Sequence, residues 1–114
     1  MSDTKRFDRK TELSQQSPLL LCRAEQGGYK EVPHLVTGDK AAIALGATCF
    51  RPRVRNRAGD TGWFGTGSKR FVVKDVLLIE GAVFHIGEVV RGGFHIDKAH
   101  GLKLMIDPNS PARR

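Results

Sequence analysis

Apolar residues in this chain fall into short blocks, and most blocks end at a glycine or a proline. Leu102, Leu104 and Ile106 alternate with Lys103 and Met105. That period of two puts one face of a strand in a core and the other towards water. Residues 71–79 and 82–90 form two longer blocks around Glu80-Gly81, a two-residue hairpin signal. Arg91-Gly92-Gly93 separates the second block from residues 94–97. Lys98 to Gly101 then leads into residues 102–106, where Asp107-Pro108 stops the run. Earlier, residues 19–22 read as a buried strand, Gln26-Gly27-Gly28 as a turn and residues 29–36 as the returning strand. Pro33 has no N–H to give, which places this strand at an edge or at a bulge.

Residues 40–45 are the best helix signal. Thr37 or Asp39 can cap them, Ala41, Ala42 and Ala44 favour a helix, and Gly46 stands where a C′ glycine belongs. The pattern as a whole predicts a mainly β fold: a small curled antiparallel sheet or barrel with one short helix. Phe84-His85-Ile86 recurs as Phe94-His95-Ile96, which reads as two equivalent meander strands with His85 and His95 side by side.

Polar, charge-mixed residues 1–16 read as a flexible N-terminal arm with a short helical stretch around residues 10–16. Residues 17–107 form a single β-rich domain, and residues 108–114 a loose basic tail. No apolar segment follows the basic residues at the N-terminus, and no run approaches the ~18 residues needed to span a membrane. A cytoplasmic protein is expected, with Cys22 and Cys49 as buried reduced thiols.

Charge changes the picture. Arg51, Arg53, Arg55, Arg57, Lys69 and Arg70 face only Asp60 within residues 51–70, which concentrates most of the net +7 in one segment. Four arginines at every second position would share one face of a strand, opposite Phe50, Pro52, Val54 and Asn56. Paired with residues 69–76, residues 49–57 would make a protruding basic β-hairpin with Trp63 near its tip. A row of guanidinium groups repels itself unless an anion lies along it, and a phosphate backbone is the commonest such anion. Trp63 and Phe64 would stack on bases or wedge between them, while Lys69, Arg70 and Arg91 would extend the surface. The plainer reading is an edge strand charged against aggregation, or an Arg- and Trp-anchored protein interface.

These residues point to a small basic, non-enzymatic nucleic-acid-binding protein that contacts the backbone of DNA or RNA with low sequence specificity. The alternative is an assembly, structural or inhibitory subunit, for example of a phage or other mobile element. It would dock on a protein partner or form a homo-oligomer through the same hairpin and arms. No basic amphipathic helix marks a membrane partner. His34, His85, His95 and His100 lack metal-ligand spacing with each other or with the cysteines, so no metal or other cofactor is expected. His85, His95 and Asp97 would carry an enzyme reading, but no nucleophile stands near them. The loop from Gly62 to Lys69 lacks the G-x-x-x-x-G-K-[ST] pattern, and no helix pattern follows it.

Overall fold

A computed structural model describes residues 6–7, 12–96 and 101–113. Its strands are β1 (Arg6–Phe7), β2 (Glu12–Gln16), β3 (Pro18–Glu25), β4 (Gly28–Glu31), β5 (His34–Leu35), β6 (Lys40–Leu45), β7 (Ala47–Thr48), β8 (Gly62–Gly65), β9 (Arg70–Ile79), β10 (Ala82–Arg91), β11 (Phe94–His95) and β12 (Leu102–Ile106). Eight of them form one sheet in the order β2-β12-β8-β9-β10-β6-β3-β4. Every neighbouring pair in it is antiparallel. β1 pairs with β7 in parallel, and β5 pairs with β11 antiparallel. The fold is mainly β, as the hydrophobic pattern predicts. No helix among the described residues is long and apolar enough to cross a membrane.

The β9–β10 hairpin follows from its turn. Glu80 and Gly81 have φ of 49° and 86°, the two left-handed residues that a two-residue hairpin turn needs to match strand twist. In β12, Leu102, Leu104 and Ile106 are buried while Lys103 is exposed. The core lies on one face of the curled sheet and is rich in aromatic rings. Phe64 and Phe71 lie 5.0 Å apart, and Phe94 meets both edge-on at 6.1 and 6.3 Å. Tight curling needs glycine where strands approach. At Gly87, beside a register shift in β10, a Cβ would overlap the Val72 carbonyl oxygen.

Several expectations are corrected. Residues 40–45 are strand β6, not a helix, and among the described residues only a 3₁₀ turn, Pro111–Arg113, is helical. β6 lies between β10 and β3, with Ala41, Ile43 and Leu45 in the main core and Ala42 and Ala44 in a smaller cluster on the other side. A strand buried on both faces reads as a continuous apolar run, which looks the same as a short buried helix. Asp39 makes a turn instead of a cap: its Oδ2 accepts from the Val36 N–H at 2.9 Å, and Gly38 has φ of 96°.

Within the expected arm, residues 12–16 form β2 against β12, not a helical stretch; the rest of that expectation falls largely on 1–5 and 8–11, outside the described residues. Within the expected tail, Ser110 and Ala112 are buried. His85 and His95 are not neighbours. His95 pairs with His34 across β11 and β5, their rings stacked at 5.8 Å.

Candidate nucleic-acid interface

The arginine segment does not form a strand. Residues 50–53 are irregular, and Val54 and Arg57 bridge a tight turn through hydrogen bonds of 3.1 and 2.6 Å, with Arg55-Asn56 at its tip. β9 pairs with β8 instead, residue 62 to 73 through 65 to 70, so the expected hairpin of residues 49–57 with 69–76 is absent. Proline at 52 has no N–H for a ladder, and two carboxylates capture the chain on either side. The Arg51 N–H donates to Asp60 Oδ2 at 2.7 Å, and the Asp60 N–H donates to the Arg51 carbonyl at 2.9 Å. Arg53 donates its N–H to the Val76 carbonyl at 2.7 Å and its Nε–H to Asp75 Oδ2 at 2.8 Å.

The four arginines therefore do different work. Arg51 donates through Nη1 to the Ala112 carbonyl at 3.2 Å. Arg53 is half-exposed in its pair with Asp75. Arg55 and Arg57 are exposed in the turn, and neither forms a salt bridge among the described residues.

Beneath this loop lies a buried ion pair. Asp60 is fully buried, and its carboxylate accepts from Ser110 Oγ at 2.7 Å and from Arg113 Nε and Nη2 at 3.1 and 2.9 Å. Arg113 Nη2 also donates to the Cys49 carbonyl at 2.9 Å, and Ser110 Oγ accepts from the Thr61 N–H at 2.9 Å. A buried charge with this many donors is compensated, and it fixes the geometry of what it joins. Here it clamps residues 108–113 onto residues 49–61. Asp60 and Arg113 are far apart in sequence, and no spacing motif announces them.

Trp63 and Phe64, adjacent in β8, point to opposite faces. Phe64 is fully buried in the core, so it is unavailable for stacking on a base. Trp63 is half-buried on the outer face, across from Val72 on β9 and Met105 on β12. Arg70 is opposite Gly65, whose lack of a side chain leaves room, and its guanidinium carbon sits 4.3 Å from the Trp63 ring centroid. Arg91 is the register partner of Arg70, and Lys103 that of Gly65. The Lys69 ammonium sits 5.8 Å from the Phe94 ring centroid. Trp63, Arg70, Arg91 and Lys103 thus come together on one end of the sheet, while Arg55 and Arg57 stand on a separate loop. A depression of about 460 Å³ beside Trp63 is lined by Arg70, Val72, Met105, Asp107 and Pro108 among others.

Sequence reasoning missed a second surface. Cys22, Tyr29, Ala42, Leu77, Ile79, Phe84 and Ile86 line a trough of about 190 Å³ on the outside of β3, β6, β10 and the far end of β9. Alanines at alternate positions of β6 were the available signal.

Among the described residues, His85 stands apart from the stacked pair of His34 and His95. His85 is fully buried between Phe50 and Phe64. Its Nδ1 lies 2.8 Å from the Ile43 carbonyl and its Nε2 2.8 Å from Thr48 Oγ1. A carbonyl only accepts, so Nδ1 carries the proton, and the Thr48 hydroxyl donates to Nε2 while accepting from the Phe50 N–H at 3.0 Å. Burial lowers the His85 pKa to about 4, against a smaller opposing effect of the Ile43 carbonyl. Asp97 and His100 lie outside the described residues. No group of three or more His, Cys, Asp or Glu side chains among the described residues could hold a metal ion.

No protein-family model matches the sequence. Over 82 residues, 71% of this chain, it is 35% identical to an alanine–tRNA ligase of Dehalococcoides mccartyi. Over 68 residues, 59% of this chain, it is 42% identical to that of Leptothrix cholodnii. Over 77 residues, 66% of this chain, it is 34% identical to that of Leptospira interrogans. These matches cover 9%, 8% and 8% of the three relatives, so the chain is similar to a segment under a tenth of the length of alanine–tRNA ligases.

Proposed function

We propose that this chain is a non-enzymatic RNA-binding module that holds a phosphate backbone on Arg55, Arg57 and the Trp63–Arg70–Arg91–Lys103 end of the sheet. One observation carries the reading: most of the chain is similar to part of alanine–tRNA ligases, whose name makes tRNA their substrate. The surface chemistry agrees with it. The chain carries a net charge of +7. Arg55 and Arg57 lack carboxylate partners among the described residues, and a single half-buried indole is backed by a guanidinium. Backbone contacts of this kind carry little sequence information. The basic hairpin on which both this reading and the docking alternative were built is absent, and the likeness to alanine–tRNA ligases is what favours the first.

The test is anisotropy of end-labelled tRNA and of a DNA duplex, from about 50 to 200 mM salt. We expect tRNA binding that weakens steeply with salt, and a slope lower by up to about two units in the double variant Arg55→Ala, Arg57→Ala. No tRNA binding at low salt, or an unchanged slope in the variant, would contradict the assignment.

A further inference from the structure

We propose that the depression beside Trp63 takes one unpaired nucleobase, selected by Arg70 and Asp107. The proposal rests on the RNA-binding reading and narrows it to a subsite with a base preference.

The depression has the size of a small-ligand site, about 460 Å³. Its apolar lining comes from Trp63, Val72, Met105 and Pro108, and its charge from Arg70 and Asp107. The Arg70 guanidinium carbon sits over the indole, 4.3 Å from its centroid. Its Nε is buried and has no hydrogen-bond partner among the described residues. A buried donor left unsatisfied is destabilising, so an acceptor that reached it as the side chain adjusts to a ligand would be held there. A planar, weakly hydrated cation held against an indole is also a platform on which a base stacks.

Asp107 supplies the opposite polarity. Its Oδ1 accepts from the Asn109 N–H at 2.8 Å, its own N–H donates to the Thr61 carbonyl at 2.8 Å, and its carbonyl accepts from the Ser110 N–H at 2.9 Å. Its second oxygen, Oδ2, has no partner among the described residues. The turn that carries it is clamped by the Asp60–Arg113 pair, so the acceptor is placed before any ligand arrives. Adenine and cytosine each present an exocyclic amine to such a carboxylate and a ring nitrogen to a donor. Uracil presents an N–H flanked by two carbonyl oxygens, which the carboxylate repels. The site therefore favours adenine and cytosine over uracil.

The chain has one tryptophan, so emission excited selectively at tryptophan reports on this depression. The protein is titrated with hexanucleotides of adenylate, cytidylate and uridylate, with Trp63 emission and the anisotropy of the labelled strands followed in parallel. We expect emission and anisotropy to give the same midpoint, and the adenylate and cytidylate strands to bind at least about fivefold more tightly than uridylate. Asp107→Asn should remove that preference, because an amide can both donate and accept. Arg70→Lys keeps the charge but loses the planar stack, and should weaken all three strands about tenfold. Salt-dependent anisotropy with a silent Trp63, or equal affinities that Asp107→Asn does not alter, would overturn the subsite and leave RNA binding standing. Absence of any binding at low salt would overturn both.

Discussion

The outer side of the sheet changes character from one end to the other. Over β12, β8 and the start of β9 it carries Lys103, Met105, Trp63 and Arg70, with Asp107 at the margin. Over β3, β6, β10 and the end of β9 it carries Leu20, Cys22, Ala42, Ala44, Phe84 and Ile79, and the trough there is lined entirely by apolar surface. Both regions rest on one inner core, so the fold does not decide between them. The difference lies in what each offers a ligand. A phosphate or a base edge brought to the apolar trough would lose its hydration with nothing in exchange. At the other end it meets guanidinium groups and an indole. The account therefore places nucleic acid at the Trp63 end and keeps it off the trough.

The largest way to break this contrast is to remove what holds the Trp63 end in shape. Asp60→Ala would leave Arg113 without its carboxylate and free the 108–113 segment that walls the depression. We expect a loss of about 3–5 kcal/mol in urea unfolding at neutral pH. A loss under about 1 kcal/mol would mean that the buried pair does not secure this end of the sheet. No salt bridge with a fully buried partner underlies the apolar trough among the described residues.

A smaller effect should touch both ends alike. His85 stands in the shared core and stays neutral when folded until about pH 4, whereas its unfolded value is 6.5. Its contribution is fully present above pH 6.5 and is lost as the unfolded chain takes up the proton between there and about 4. Stability should fall by up to about 3 kcal/mol across that window. Urea midpoints at several pH values check this, and His85→Gln should flatten the dependence. An equal fall in the variant would assign the pH effect to other groups.

Much of the fold is legible where local signals are sufficient. Glu80-Gly81 fixes the β9–β10 hairpin by its own turn chemistry, and the alternation in residues 102–106 gives β12 and its buried face. The reading of residues 40–45 goes wrong because a cap, alanines and a terminal glycine mimic a helix, while pairing with β10 and β3, both distant in sequence, decides the outcome. The arginine segment goes wrong for a related reason. A period of two describes a strand only if the backbone finds a ladder, and here Asp60, Asp75 and Val76 take it instead.

The candidate site is half legible. Trp63 and Arg70 are recognisable as binding residues, but their stack depends on β8–β9 pairing, in which Gly65 faces Arg70. Strand alternation could have separated Trp63 from Phe64, because neighbours in a strand cannot share a face. Asp107 reads only as the residue that ends a strand, and nothing in its spacing ties it to Trp63.

The contrast between the two ends is tested most directly by backbone and indole NMR shifts of the protein titrated with tRNA. The account predicts that shifts concentrate at Arg55, Arg57, the Trp63 indole, Arg70, Arg91 and Lys103, while Tyr29, Ala42, Ile79 and Phe84 stay in place. Shifts centred on those four trough residues, with the Trp63 indole unmoved, would contradict it.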